Sequence, residues 1–181
     1  MPNPPSNDTI VAETFPNQIG DRWTYSVFDS IHKTNQTVVV KIVGDTIFKN
    51  GEKFKIWVYN YPYKTDTGYV NIVGDTVRLN TKYGILNTMY LFPLYKDKSW
   101  LSGLGMNLTT KVEKIEIITV PAGIFNNCYD IQTVIASYNY VLIQDNWFEP
   151  KVGIIQKHIY ENNLGHSRRE MWKLASYKLT N

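Results

Sequence analysis

The chain has 181 residues, 43% of them apolar and 19% charged, with 49 Ile, Val and Thr against four Ala. β-branched side chains lose rotamer freedom in a helical turn and pack well on a pleated surface, so this composition argues against an all-helical fold. The balance of 19 Lys and Arg against 16 Asp and Glu gives +3, and the basic residues are scattered apart from Arg168-Arg169, unlike the basic stripe of a nucleic-acid surface, so no nucleic acid is expected as a partner.

At this length one core and one domain are expected, and no uncharged apolar run approaches the ~18 residues of a membrane-spanning helix. Met1-Pro2-Asn3-Pro4-Pro5-Ser6-Asn7-Asp8 has no apolar face and reads as extended chain, so residues 1–14 are expected to be a flexible tether ahead of a β domain over 15–181. The tether has neither the charged nor the apolar region of a signal peptide. It has the look of a lipoprotein tether whose lipidated Cys would precede Pro2, so the expected membrane contact is through a lipid anchor only.

From Phe15 onward, short alternating runs are separated by turn signals. Arg22 to Ile31 alternates Trp23, Tyr25 and Val27 with polar residues, and Thr37 to Phe48 is a longer strand bent at Gly44. Lys49-Asn50-Gly51-Glu52 carries Asn-Gly between two strand patterns, the strongest short-range hairpin signal. The returning strand, Lys53 to Tyr61, ends at Pro62. Gly68 to Val73, Thr76 to Asn80 and Ile85 to Phe92 follow, and then a Gly/Ser/Lys-rich loop, Leu94 to Gly105, containing Trp100. Asn107 to Val120, Cys128 to Ile143, Val152 to Tyr160 and Met171 to Leu179 complete about ten strands. Ile42-Val43-Gly44-Asp45-Thr46 recurs as Ile72-Val73-Gly74-Asp75-Thr76, which predicts the same turn or bulge twice.

Few residues look placed for chemistry. Gly103-Leu104-Gly105 lacks the Lys and hydroxyl residue of a phosphate loop, and Ser102 has no glycine two residues before it. His32, His158 and His166 lack metal-ligand spacing. Cys128 lies in an apolar segment without an activating neighbour and reads as a small buried hydrophobe. Asp145 and Glu149 flank Trp147-Phe148 and would serve as an acid/base pair only if they shared a cleft with each other or with His158. No catalytic residue, metal or cofactor is therefore expected.

Tyrosines are more suggestive. Tyr59, Tyr61 and Tyr63, like Tyr138 and Tyr140, recur at every second position and are expected to share a strand face. A ring with a polar tip suits contact with a carbohydrate, a peptide or a protein, and cross-strand ladders of Tyr and Thr also stabilise a sheet with no ligand at all. With Trp147 and Glu149 they form the candidate binding set. Asp8-Thr9-Ile10, Asp29-Ser30-Ile31, Asp45-Thr46-Ile47 and Asp75-Thr76-Val77 share a spelling that resembles an O-glycosylation signal of exported bacterial proteins, and equally suits recurrent turn-to-strand chemistry.

Four segments carry a wider resemblance: Phe15-Pro16 with Ile19-Gly20-Asp21-Arg22-Trp23-Thr24-Tyr25, Phe92-Pro93-Leu94-Tyr95 with Ser99-Trp100, Val120-Pro121-Ala122-Gly123-Ile124-Phe125 through Cys128-Tyr129-Asp130-Ile131, and Trp147-Phe148-Glu149-Pro150-Lys151-Val152-Gly153-Ile154. Together they resemble a family of uncharacterised bacterial exported proteins and lipoproteins. The resemblance implies export to the periplasm or outer membrane and a β-rich domain, and brings no reaction or ligand. Glu149 departs from the Ala or Ser usual before the proline. The expected fold is all-β, one strongly curved antiparallel sheet forming an open or half barrel, LolA/LolB-like in outline, or else a two-layer sandwich, with few or no helices. The expected function is a non-catalytic envelope module with a protein, glycan or lipid partner. The alternatives are a carrier of an apolar ligand in the half barrel and, behind it, an envelope hydrolase.

Overall fold

Alternate residues Trp23, Tyr25 and Val27 are buried while Arg22 and Ser26 are exposed, which makes Arg22–Asp29 a half-buried strand, β1. The computed structural model describes residues 12–81, 86–103 and 108–180. The same alternation builds β2 (Thr34–Ile47), β3 (Lys53–Asn60), β4 (Thr65–Val73), β5 (Thr76–Thr81), β6 (Leu86–Leu91), β7 (Ser99–Leu101), β8 (Thr109–Val120), β9 (Gly123–Ser137), β10 (Tyr140–Glu149), β11 (Gly153–Asn163) and β12 (His166–Lys178). Among the described residues the one helical element is a 3-10 turn, Ala12–Thr14.

All twelve strands form one antiparallel sheet in the order β6-β5-β4-β3-β2-β1-β12-β11-β10-β9-β8-β7. The chain winds outward from β1 to one edge, returns at the other, and closes the middle by pairing β1 with β12. The two edges meet: Asn87 bridges Gly103, Thr88 N–H donates to Ser102 O at 2.7 Å, and Trp100 Nε1 donates to Thr88 O at 3.2 Å. The sheet is thus a nearly closed barrel, filled at one end by packed aromatics and more open at the other, where many inward side chains are only half-buried. The two-layer sandwich is set aside, since among the described residues all strands belong to this one sheet.

Twelve strands replace the expected ten or so for two local reasons. The loop around Trp100 contains β7, because Ser99 and Leu101 pair with Lys111 and Thr109. The run Cys128 to Ile143 is not one strand but parts of β9 and β10, reversed at Tyr138-Asn139. Apolar residues on both sides of that turn hide it from a reading by alternation. The predicted Asn-Gly hairpin is present: Phe48 N–H donates to Glu52 O, and the Asn50 amide holds Glu52. The two Gly-Asp-Thr copies do different jobs. The first follows a bulge in β2 between Ile42 and Gly44, whereas the second makes the β4–β5 turn.

The filled end is an aromatic plug. Phe15 enters it from the N-terminal side and stacks on Trp57 and Phe148, each at 5.8 Å, with Tyr90 at 5.7 Å. Trp23 stacks on Trp57 at 5.1 Å, and Tyr90 meets Phe148 at 4.4 Å across the interior. Ala12 is buried in the same core; of the expected tether, residues 1–11 lie outside the described residues. The segments that carried the resemblance build this end. Gly153 adopts φ +102°, open to glycine at little cost, and lets the Pro150-to-Gly153 turn close on Trp23, whose Nε1 donates to Val152 O at 2.6 Å. Asp21 is buried and accepts from the Gln18 and Thr180 N–H groups, clasping the C-terminal end of the chain.

Candidate ligand-binding site

Pairing register defines rows of inward-facing side chains around the barrel. The row just above the plug runs Gln36, Val27, Trp172, Lys157, Asn146, Ile131 and Val112, each paired with the next across β2, β1, β12, β11, β10, β9 and β8. Two residues further towards the open end lies Glu170, Ile159, Gln144, Thr133 and Thr110, and then Arg168, Glu161, Leu142 and Ile135. Tyr140 ends the wall on β10. Tyr59 and Tyr61 form the opposite wall, and the Tyr61 ring meets Trp172 edge-on at 5.9 Å. Twelve strands enclose more room than the eight that side chains alone can fill, and many of these inward residues retain solvent access: Tyr59, Tyr61, Leu79, Thr133, Ile135, Leu142, Gln144, Lys157 and Glu161 are half-buried.

The polar part of this wall is ordered by charge. Arg168 binds Glu170 through a two-pronged fork, Nε to Oε1 and Nη2 to Oε2, both at 2.8 Å. The Trp172 indole N–H adds a 2.7 Å bond to the same carboxylate, and Glu161 lies 3.8 Å from Arg168. Burial opposes ionisation of Glu170, but the Arg168 fork and the indole outweigh it and hold the carboxyl below its usual range. Lys157 Nζ lies 3.8 Å over the Trp172 ring. Burial and the neighbouring Arg168 lower its pKa to about 8, with Glu170 opposing. Tyr61 and Tyr140 are both pushed up to about 12, first by burial, with Glu161 adding to the effect on Tyr140.

Of the predicted binding residues, Tyr59, Tyr61 and Tyr140 line the barrel interior. Tyr63, 71% exposed, stands on the rim in the β3–β4 turn. Tyr138 is fully exposed in the β9–β10 turn at the same end; it does not share a strand face with Tyr140, because the chain reverses between them. Trp147 and Glu149 are elsewhere. Trp147 packs on the outer face, donating to Glu116 Oε1 at 2.6 Å and meeting the His158 ring edge-on at 4.7 Å. Glu149 sits by the plug, accepting from the Lys151 N–H.

Reasoning from sequence missed Lys157, Asn146, Gln36, Arg168, Glu170 and Trp172. The signal was available: Arg168, Glu170 and Trp172 share one parity on one strand, and Lys157 lies on the face opposite His158. Closure of the barrel turns this face of β11 and β12 inward, which scattered charges in a sequence do not report.

The candidate hydrolase groups come together only in part: Asp145 and His158 meet, and Glu149 does not join them. Asp145 and His158 are cross-strand partners on the outer face, where they line a shallow groove with Ser30, Ile143, Tyr160 and Met171. Glu149 is four residues along β10, roughly 13 Å away at ~3.3 Å per residue. Cys128 is fully buried, and burial, with Glu149 and Glu116, pushes its thiol up to about 12. Among the described residues no His, Cys, Asp and Glu group has the arrangement of a metal site, and no helix is long and apolar enough to cross a membrane.

No family model and no curated protein matches the chain. Two solved structures do. One is a "putative exported protein with YMCC-like fold" from Bacteroides fragilis, with TM-score 0.56 and 12% identity over 91% of this chain and 98% of that one. The other is a "putative lipoprotein" from Parabacteroides distasonis, with TM-score 0.55 and 16% identity over 94% and 99%. The chain shares their fold. At these identities the likeness shows the fold alone, over nearly the whole of all three chains.

Proposed function

We propose that this protein is a non-catalytic exported module of the bacterial cell envelope that binds a ligand in the open end of its barrel. The observation that carries the reading is the contrast between the two ends. One is packed by Phe15, Trp23, Trp57, Tyr90 and Phe148, and the other is lined by half-buried tyrosines, amides and charges that packing alone does not call for. Exported and lipoprotein descriptions of the two similar structures, and the Pro-rich start of the chain, support placement at the envelope. The position of Glu149, four residues along β10 from the Asp145–His158 pair, supports binding over hydrolysis by a carboxylate pair.

A lipid carrier is the second reading, favoured by the half-buried, inward-facing Leu79, Ile135 and Leu142. Both readings place the ligand inside the barrel. Calorimetric titration with oligosaccharides and with phospholipid micelles tests them together, using Leu142→Trp to narrow the interior and His158→Ala to alter the outer groove. Saturable binding lost in Leu142→Trp and kept in His158→Ala supports the proposal; the reverse pattern moves the site to the outer face and overturns it. Cell fractionation tests export, and a cytosolic protein would contradict it.

A further inference from the structure

The row just above the plug holds groups the fold does not use. Lys157 rests on the Trp172 ring and, among the described residues, makes no ion pair, while Glu170 and Glu161 are both engaged by Arg168. Asn146 faces Lys157 directly across the β10–β11 pair; it is 6% exposed, and its Oδ1 has no hydrogen-bond partner among the described residues. Gln36 Oε1, on the same row two strands beyond Trp172, also lacks a partner. A half-buried ammonium without a carboxylate and two orphaned amide oxygens are unfavourable as they stand. One ligand that brings an anionic oxygen to the first and hydroxyl or N–H groups to the others satisfies all three.

Resting on the reading of the open end as a ligand site, we propose that the ligand carries a carboxylate seated on Lys157 Nζ, to which a sugar acid would add hydroxyl donors for Asn146 and Gln36. A single negative charge matches a single unpaired cation. A phosphate dianion would bring a second charge close to Glu170 and Glu161 with, among the described residues of this wall, no further unpaired cation to meet it. The rings of Trp172 and Tyr61 flank the seat and offer flat apolar faces, which suit either a sugar acid or the first methylenes of a fatty acid. The lowered pKa of Lys157 agrees with a cation awaiting a counter-charge.

The test pairs each acid with its neutral counterpart: D-glucuronate with D-glucose, and decanoate with decanol. Affinity is read by calorimetry and location by the Trp172 indole resonance, in the wild type, Lys157→Met and Asn146→Asp, each checked for native near-UV circular dichroism. At least tenfold preference for one acid over its neutral partner, lost in both variants, supports the proposal, and the acid preferred identifies the source. Equal affinity for acid and neutral forms, or binding undiminished in Lys157→Met, overturns the carboxylate assignment and leaves the interior site standing. If no probe moves Trp172, both the assignment and the interior site fail.

Discussion

Replacing Lys157 by Met keeps a stem of similar length on the Trp172 ring and removes the charge. Moving a lysine from its ordinary 10.5 to about 8 means that the folded barrel disfavours the ammonium. At about 1.4 kcal/mol per pKa unit the cost is about 3 kcal/mol. The contact with Trp172 returns part of this, about 0.5–2 kcal/mol for a cation over an aromatic face, and the partial solvent access of Lys157 softens the remainder. Lys157→Met is therefore expected to stabilise the protein by about 1–2 kcal/mol at pH 7. The sign of the pH dependence follows from the lowered pKa. Between about 8 and 10.5 the unfolded chain holds the proton more firmly than the folded one, so wild-type stability rises with pH across that window and the advantage of the variant fades. Urea unfolding of both proteins at pH 7 and pH 10.5 measures this. Destabilisation of the variant at pH 7, or an equal gain at both pH values, would refute the reasoning.

Other expectations concern the rest of the barrel. Asp130 is buried on the outer face with its Oδ1 unpartnered, and burial together with Asp145 raises its pKa to about 6. Its carboxylate costs stability above that pH, so Asp130→Asn should gain about 1–2 kcal/mol at pH 7 and almost nothing at pH 4, as thermal unfolding at the two pH values would show. Phe15→Ala, which empties the centre of the plug, is expected to cost about 3–5 kcal/mol in urea unfolding. Gly153→Ala places a Cβ 3.3 Å from Trp23 Nε1 at a φ that L residues rarely adopt, and should lower stability by about 1–3 kcal/mol. A midpoint unchanged from the wild type would show that the turn is not held against Trp23 as described.

Much of the sheet was legible because each half-buried strand writes its own period of two, and because Asn50-Gly51 and Pro62 mark turns by their backbone chemistry. The turn at Tyr138-Asn139 was not legible, since Val134-Ile135-Ala136 on one side and Val141-Leu142-Ile143 on the other continue one apolar pattern through it. Closure was not legible either. Pairing of β1 with β12 joins residues some 150 positions apart, and no local signal reports which face of β11 or β12 becomes the inside. The site suffered from the same blindness: Tyr59 and Tyr61 were found by their ring chemistry, whereas Lys157 and Arg168 looked like ordinary surface charges until the sheet curled around them. Trp147 misled for the opposite reason, because a tryptophan beside Asp145 and Glu149 resembles a cleft, yet its N–H is spent on Glu116 on the outer wall.

The two walls give two reporters of ligand position, Trp172 inside the barrel and Trp147 outside. Their indole N–H resonances, followed in one titration with envelope oligosaccharide and phospholipid fractions, test most directly whether the open end is the binding site. Saturable movement of Trp172 with Trp147 unchanged is the predicted result. Movement of Trp147 with Trp172 unchanged would place the ligand on the outer face and contradict the account.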